Sequence, residues 1–299
     1  MKLRSVLLLL GVAICADHAD ASLRLGTYQY GSVDRIGAIR PVAEYLEREL
    51  GETVTAVVLP GVWELVAAVE AGEVDCAVIN TAGYLALAAA KDARAEAIVA
   101  LDTKARAAER YNTVIIAPSA QGGSWDDVAA WARGLRLALV VPGSTTGDLV
   151  PRLALAQRGV ADAEQAFSRV GFAGSHAKAL DAVVTGDADL AALAESEFDA
   201  QLKREPALAA RLRVLWRSPA IPLGPIVVRR ALPAETRAAL RQALMRLPEK
   251  SPAAFAALKS GWSEFKTADA IRLPDPNEWA PILALAGPES MAAYLRRPR

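Results

Sequence analysis

The sequence predicts an α/β protein built as two lobes, and three observations carry that prediction. From Leu23 onward, short apolar runs alternate with amphipathic helical stretches, the signature of mostly parallel sheets covered by helices. The chain beyond its first 21 residues, about 278 residues, exceeds what a single hydrophobic core ordinarily supports. One pattern occurs twice, as Glu70-Ala-Gly-Glu-Val-Asp75-Cys-Ala-Val and as Val184-Thr-Gly-Asp-Ala-Asp189-Leu-Ala-Ala. Each copy reads as helix, glycine, acid and strand, so one βαβ unit is expected in each lobe.

The first 21 residues read as an address. Lys2 and Arg4 make a basic start, Val6 to Ala16 is apolar, and Ala19-Asp20-Ala21 offers small residues for cleavage. The run is too short to anchor the chain across a bilayer. Export follows as the expectation, with lipid attachment through Cys15 as the alternative, although Ile14 stands where such signals want a small residue.

Leu23 to Tyr28 reads as the first strand. Pro41 to Leu50 sets Val42, Tyr45, Leu46 and Leu50 at helical spacing and stops at Gly51. Thr53 to Leu59 is a β-branched strand ended by Pro60, and Trp63 to Ala71 is a helix ended by Gly72. Val74 to Ile79 is a buried strand, and Ala82 to Ala90 an alanine-rich helix. Thr113 to Ala117 is a strand closed by Pro118, and Ser124 to Ala132 a capped helix. Leu135 to Val141 is the most apolar strand, followed by a helix from about Asp148 to Gln157. The rhythm repeats with a strand at Val170, a helix over Ala177 to Thr185, and a strand over Leu190 to Leu193. After Trp216, Ser218-Pro-Ala-Ile-Pro-Leu-Gly-Pro225 suits an extended crossing, Ile226 to Val228 begins the return, and the chain from Pro233 is helical.

Charge and cysteine usage narrow the function classes. Lys plus Arg number 34 and Asp plus Glu 34, so no global field draws the chain to nucleic acid or anionic lipid. No second apolar segment reaches membrane length, and the mature chain is expected to be soluble. Of two cysteines, only Cys76 lies outside the leader; one thiol closes no loop, and its apolar setting reads as a small buried hydrophobe. One histidine beyond the leader gives no metal-ligand spacing, and no cofactor is expected.

The segment richest in chemistry is Leu135-Arg-Leu-Ala-Leu-Val-Val-Pro-Gly-Ser144-Thr145-Thr146-Gly147-Asp148-Leu-Val-Pro151. It runs from a strand through a hydroxyl-bearing turn into a helix start, where unpaired N–H groups and the helix dipole favour an anion. A single hydroxyl there would serve as an N-cap; three in a row exceed what a cap requires. No lysine follows Gly147 in the place a P-loop demands. His176 opens the helix at another strand-to-helix junction, the edge where open α/β sheets bind ligands. Hydrolysis could be imagined from Ser144 and His176, but no Gly-x-Ser-x-Gly elbow presents a nucleophile, and an enzyme is not expected.

Pro142-Gly-Ser144-Thr-Thr-Gly-Asp-Leu-Val-Pro151, Ala173-Gly-Ser-His176-Ala-Lys-Ala-Leu and Gly186-Asp-Ala-Asp189 together resemble the phosphonate-binding periplasmic proteins of ABC importers. Glu73-Val-Asp75, Tyr111 before a strand, and Arg217-Ser-Pro-Ala-Ile-Pro222 with Pro225 look like further landmarks of that family in the same order, and the resemblance runs from about Leu23 to Leu244. It implies a type II periplasmic binding protein, two α/β lobes joined by two hinge crossings: lobe one over 22–110 plus 226–299, lobe two over 111–225. It also implies that Ser144, Thr145, Thr146 and His176 hold an oxyanion, with Tyr111 contributing from the first crossing and Tyr84 facing the cleft. The implied ligand is phosphonate, phosphite or phosphate. The implied partner is an ABC permease, the implied location is the periplasm, and a monomer suffices.

This chain departs from its relatives where they bind an ammonium group. Gly224 stands where aminoalkylphosphonate binders place an acid between two prolines, Val62 with Trp63 beside it replaces a tyrosine, and a further acid aligns near Ser196, between Glu195 and Glu197. Asp148 sets an acid beside the anion cradle and needs a cation or solvent to be tolerated there. The competing role is that of a periplasmic ligand-sensing partner of a membrane histidine kinase, with arsenite on Cys76 as one possible ligand.

Overall fold

The computed structural model describes residues 22–89, 93–102, 111–275, 277–285 and 287–295. The expected signal segment 1–21, with Cys15, lies outside them. Eleven strands are described, in chain order β1 (Leu23–Tyr28), β2 (Val54–Leu59), β3 (Cys76–Val78), β4 (Ala95–Asp102), β5 (Thr113–Pro118), β6 (Arg136–Leu139), β7 (Arg169–Phe172), β8 (Leu190–Ala194), β9 (Leu212–Arg217), β10 (Ile226–Arg229) and β11 (Ala270–Arg272). They form a six-stranded sheet, β11-β4-β10-β3-β1-β2, and a five-stranded sheet, β7-β6-β8-β5-β9.

The two sheets share one topology. In the first, β1 runs parallel to both β2 and β3, and β10 lies antiparallel between β3 and β4. In the second, β6 runs parallel to β7 and β8, and β5 lies antiparallel between β8 and β9. The reversed strand inside each sheet is the one that follows a crossing: β5 comes after the chain leaves the first sheet, β10 after it leaves the second, and β11 adds a further antiparallel strand at the edge of the first.

The repeated sequence pattern has a matching physical role. Ahead of β3, the Asp75 carboxylate accepts from the Arg24 N–H at 2.9 Å while the Asp75 N–H donates to the Arg24 carbonyl at 3.0 Å. Ahead of β8, Asp189 accepts from the Arg136 N–H at 2.7 Å and donates to the Arg136 carbonyl at 2.9 Å. Both acids thus extend a short central strand by one rung. Each is neutralised by a guanidinium, Arg229 at 2.5 Å from Asp75 and Arg136 at 2.9 Å from Asp189. The Arg136 hydrogen bond holds the Asp189 carboxyl below the usual carboxylate range.

Helix α1 (Arg35–Leu50) begins six residues before Pro41, where the sequence reading started it. Asp34 caps it by accepting from the Gly37 N–H at 2.9 Å. Pro41 therefore sits inside the helix, where it removes one backbone hydrogen bond. Helices α2 (Val62–Ala71) and α3 (Thr81–Ala89) fall where their periodicity put them, within one residue. Strands β4, β9 and β11 have no counterpart in the sequence reading. In β4, Ala and Glu have weak strand preference, and pairing with β10 and β11 makes it a strand.

The core lies on both faces of each sheet. Leu25, Ile39, Leu46 and Leu65 are fully buried, and each such side chain stabilises the fold by roughly 1.5–3 kcal/mol. A fifth cluster joins Leu85 of α3, Leu149 and Leu153, Ile221, Trp279 and Tyr294. It packs the end of the chain against helices from both sheets.

The two crossings run side by side. The Ile221 N–H donates to the Tyr111 carbonyl at 2.7 Å, the Asn112 side chain to the Ser218 carbonyl at 2.7 Å, and the Thr113 N–H to the Ser218 hydroxyl at 2.9 Å. Among the described residues, no helix is long and apolar enough to cross a membrane.

Candidate ligand-binding cleft

A cleft of about 700 Å³ lies between the sheets. Its wall includes the junction between strand and following helix after β1, β2, β3, β6, β7 and β8, three from each sheet. Helix N-termini crowd around it, and each carries roughly half a positive charge from unpaired N–H groups. Formal charge on the wall runs the other way, with Arg35 and Lys266 set against Glu64, Glu197 and Glu264. Helix dipoles are what make the hydroxyl-bearing side of the cleft hospitable to an anion.

The hydroxyl turn is built by Gly143 and Ser144. Gly143 sits at φ 76, and a Cβ there would overlap Val62 and stand 3.0 Å from the Trp63 ring, so glycine lets the second sheet's loop close against α2. Asn80 ties the same loop across the cleft by donating to the Gly143 carbonyl at 2.9 Å. Ser144 caps one wide turn, Thr145–Leu149, which continues as the helix Val150–Gln157. Its hydroxyl oxygen accepts from the Gly147 N–H at 3.1 Å, which leaves the O–H proton free to donate. The Thr145 hydroxyl likewise accepts from the Ala82 N–H at 3.1 Å and keeps its own proton. Both residues line the cleft.

Asp148 does not oppose an anion there. It is 4% exposed, accepts from the Gly143 N–H at 2.9 Å and the Tyr294 hydroxyl at 2.9 Å, and pairs with Arg152 at 2.6 Å. Its charge is spent inside the protein, holding the loop that carries Ser144.

His176 lines the cleft at the start of the helix His176–Val184, which Ser175 caps. Its Nδ1 accepts from the Ala194 N–H at 3.2 Å, so the proton resides on Nε2 and that nitrogen is a donor. Burial lowers its pKa to about 4. Tyr111 lines the cleft from the first crossing; burial, then the nearby Glu264 charge, pushes its hydroxyl well above the ordinary tyrosine value. It too stays protonated and able to donate.

Of the six residues singled out from sequence, Ser144, Thr145, His176 and Tyr111 meet on the cleft wall. Thr146 is fully buried behind them, its hydroxyl set beside that of Tyr111. Tyr84 turns away from the cleft, its ring 4.4 Å from that of Trp279. Sequence reasoning passed over Arg35, Tyr30, Glu264 and Lys266, which also line the cleft, and named Glu197 only as a neighbour of the position where an acid aligns. Only the early start of α1, signalled by the Asp34 cap, could have placed Arg35 at a junction; the others reach the cleft through tertiary packing.

The departures from the aminophosphonate pattern are structural. A Cβ at Gly224 would collide with the Ile79 carbonyl and lie 2.6 Å from Asn80 Cα, so no acid fits there on this backbone. Val62 is buried and Trp63 lines the cleft. Glu195 pairs with Arg217, Ser196 is exposed, and Glu197 is the acid that reaches the cleft. Cys76 pairs between β1 and β10, is 2% exposed, and is not among the cleft residues; burial pushes its thiol up to about 12. Thiolate-based capture of arsenite therefore has no place in this cleft.

The chain is similar to known proteins over most of its length. The model of the family described as ABC transporter, phosphonate, periplasmic substrate-binding protein matches residues 28–272. The phosphonates-binding periplasmic protein of Escherichia coli K12 is 27% identical over 252 residues, 84% of this chain and 73% of that protein. The crystal structure of a binding-protein component of an ABC phosphonate transporter from Pseudomonas aeruginosa superposes with a TM-score of 0.64 at 23% identity, covering 92% of this chain and 93% of that one. A Prochlorococcus marinus protein in complex with methylphosphonate superposes with a TM-score of 0.65 at 16% identity, covering 88% and 96%. These structures share the two-lobed α/β fold.

Proposed function

The chain belongs to the family of periplasmic substrate-binding proteins of phosphonate ABC transporters, and from that premise we propose that its cleft captures a small phosphorus oxyanion, phosphonate, phosphite or phosphate, and delivers it to an ABC permease. The observation that carries this reading is the convergence of Ser144, Thr145, Tyr111 and His176 on the cleft, with Ser144, Thr145 and His176 each retaining a hydrogen-bond donor. The N–H groups of Thr145 and Thr146 open the same helix, where intrahelical acceptors are lacking. Thr146 supports the turn from behind.

The donors are neutral and pre-oriented, so little ordering is needed when the ligand arrives, and charge-assisted hydrogen bonds to its oxygens are stronger than neutral ones. Paired crossings fit a hinge about which the lobes close, as hinge closure in periplasmic binding proteins does in general. The chain acts as a monomer, without catalysis, on the outer side of the inner membrane after export. With Gly224 excluding an acid, the cleft favours simple phosphonates over aminoalkylphosphonates.

Isothermal titration calorimetry against phosphite, methylphosphonate, phosphate and 2-aminoethylphosphonate tests the assignment. Tight binding of at least one of the first three is expected. Silence toward all four, together with capture of an uncharged solute, would sink it.

A further inference from the structure

Arg35, the first residue of α1, is a cleft group that neither the repeat nor the hydroxyl turn accounts for. It is 4% exposed and lines the cleft. Its Cζ stands 4.0 Å from the Trp262 ring centroid, 4.9 Å from that of Tyr28 and 5.8 Å from that of Tyr30. These aromatic faces stabilise a cation, and the Tyr28 hydroxyl offers it one acceptor. Among the described residues, the Arg35 Nε and Nη1 are buried and have no hydrogen-bond partner. Glu264 is near enough to feel the Arg35 charge, yet no ion pair joins the two among the described residues.

A guanidinium held in this state is costly unless something completes it, because buried charges are normally paired and hydrogen-bonded. The opening through which it can be completed is the cleft. Tyr30 connects it to the opposite wall: the ring that lies 5.8 Å from Arg35 Cζ is 6.2 Å from the His176 ring. The guanidinium and the hydroxyl turn are thus positioned to face one bound ligand.

We propose that Arg35 is the specificity-determining cation of the cleft: its free N–H groups engage the ligand's charged oxygens from the first sheet while the hydroxyl turn and His176 hold them from the second, and the site therefore prefers a dianionic oxyanion to a monoanion of the same shape. This rests on the phosphorus-oxyanion reading above and deepens it. The neutral donors of the second sheet distinguish poorly between one charge and two, whereas a guanidinium held among aromatic rings, without an ion pair among the described residues, is the group that responds to the second charge.

Methylphosphonate and methanesulfonate make the test, since both carry a methyl group and three oxygens, and at pH 8.5 the first is mostly a dianion while the second is a monoanion. Calorimetry on the wild-type protein is expected to favour methylphosphonate by at least about tenfold. Arg35→Gln is expected to lower methylphosphonate affinity about 10- to 100-fold and to shrink the preference, whereas Arg35→Lys, which keeps the charge, retains the preference at reduced affinity. Thermal melting of each variant accompanies the titrations. Should Arg35→Gln fail to fold, the wild-type comparison and the lysine variant decide. Equal wild-type affinity for the two ligands, or a folded Arg35→Gln that keeps the full preference, overturns the role of Arg35. A wild-type protein that binds no phosphorus oxyanion at all defeats the functional reading instead.

Discussion

His176 Nδ1 accepts a hydrogen bond from the backbone N–H of Ala194, 3.2 Å away, at the point where β8 passes into its helix. One main-chain donor thereby fixes the tautomer of the imidazole in the cleft. The ring is a neutral Nε2–H donor, and it reaches that state by burial.

His176→Ala is therefore expected to weaken oxyanion binding by about 10- to 100-fold, the cost of one hydrogen bond to a charged partner, with a small change in melting temperature. Wild-type affinity for a ligand whose ionisation does not change is expected to stay level between pH 5.5 and 8, because the imidazole, with a pKa of about 4, does not titrate there. Calorimetry with methanesulfonate across that range checks it; a step near pH 6.5 would mean the ring is not held neutral.

The same shift links pH to stability. The folded-state pKa lies below the unfolded value of 6.5, so the unfolded chain takes up a proton first. The contribution is complete above pH 6.5 and is lost as pH falls toward 4, with a slope of at most about 1.4 kcal/mol per pH unit from this group. Denaturant melts of the wild type and His176→Gln at pH 7 and pH 5 should converge at the lower pH.

Asp148→Ala removes one of the two carboxylates paired with Arg152, leaving Glu164, and takes away the acceptor of the Gly143 N–H and of the Tyr294 hydroxyl. Because Arg152 keeps Glu164, the cost is that of the buried donors left without an acceptor, about 1–3 kcal/mol, which for a protein of this size lowers the melting temperature by several degrees. Because the loop bearing Ser144 loses its anchor, affinity is expected to fall as well. A variant with unchanged melting and unchanged affinity would show that the network does not hold the turn.

Gly224→Ala forces a methyl group into the Ile79 carbonyl and the Asn80 backbone. The second crossing must then shift, and a loss of about 1–3 kcal/mol is expected in denaturant unfolding. Gly224→Glu, which restores the acid of the aminophosphonate pattern, is expected to destabilise the fold without creating tight binding of 2-aminoethylphosphonate.

Cys76→Ser should leave oxyanion affinity unchanged within about twofold and cost at most about 1–2 kcal/mol for an extra buried hydroxyl. The native thiol, buried and with a pKa of about 12, is expected to resist a disulfide reagent until the chain unfolds. Rapid modification of the folded protein would contradict the position of Cys76 between β1 and β10.

The local signals were legible in the sequence because they are local. Apolar periodicity located β1, α2, α3 and β10 to within about a residue, since side-chain spacing alone decides which face of a helix or strand avoids water. The repeat around Asp75 and Asp189 marked two equivalent units, and the hydroxyl run marked Ser144 and Thr145 because a helix start must satisfy its own unpaired N–H groups. Tertiary structure decided what depends on distant partners. Alanine-rich β4 became a strand by pairing with β10 and β11. Asp148 was disarmed by Arg152 and by Tyr294 from the far end of the chain. Tyr84 turned away toward Trp279, and Arg35 came to rest among Tyr28, Tyr30 and Trp262 with two of its nitrogens unpaired among the described residues. Sequence spacing specifies a side chain's neighbours along one element; which charges meet across a cleft depends on how separate elements pack, and that is a property of the folded chain as a whole.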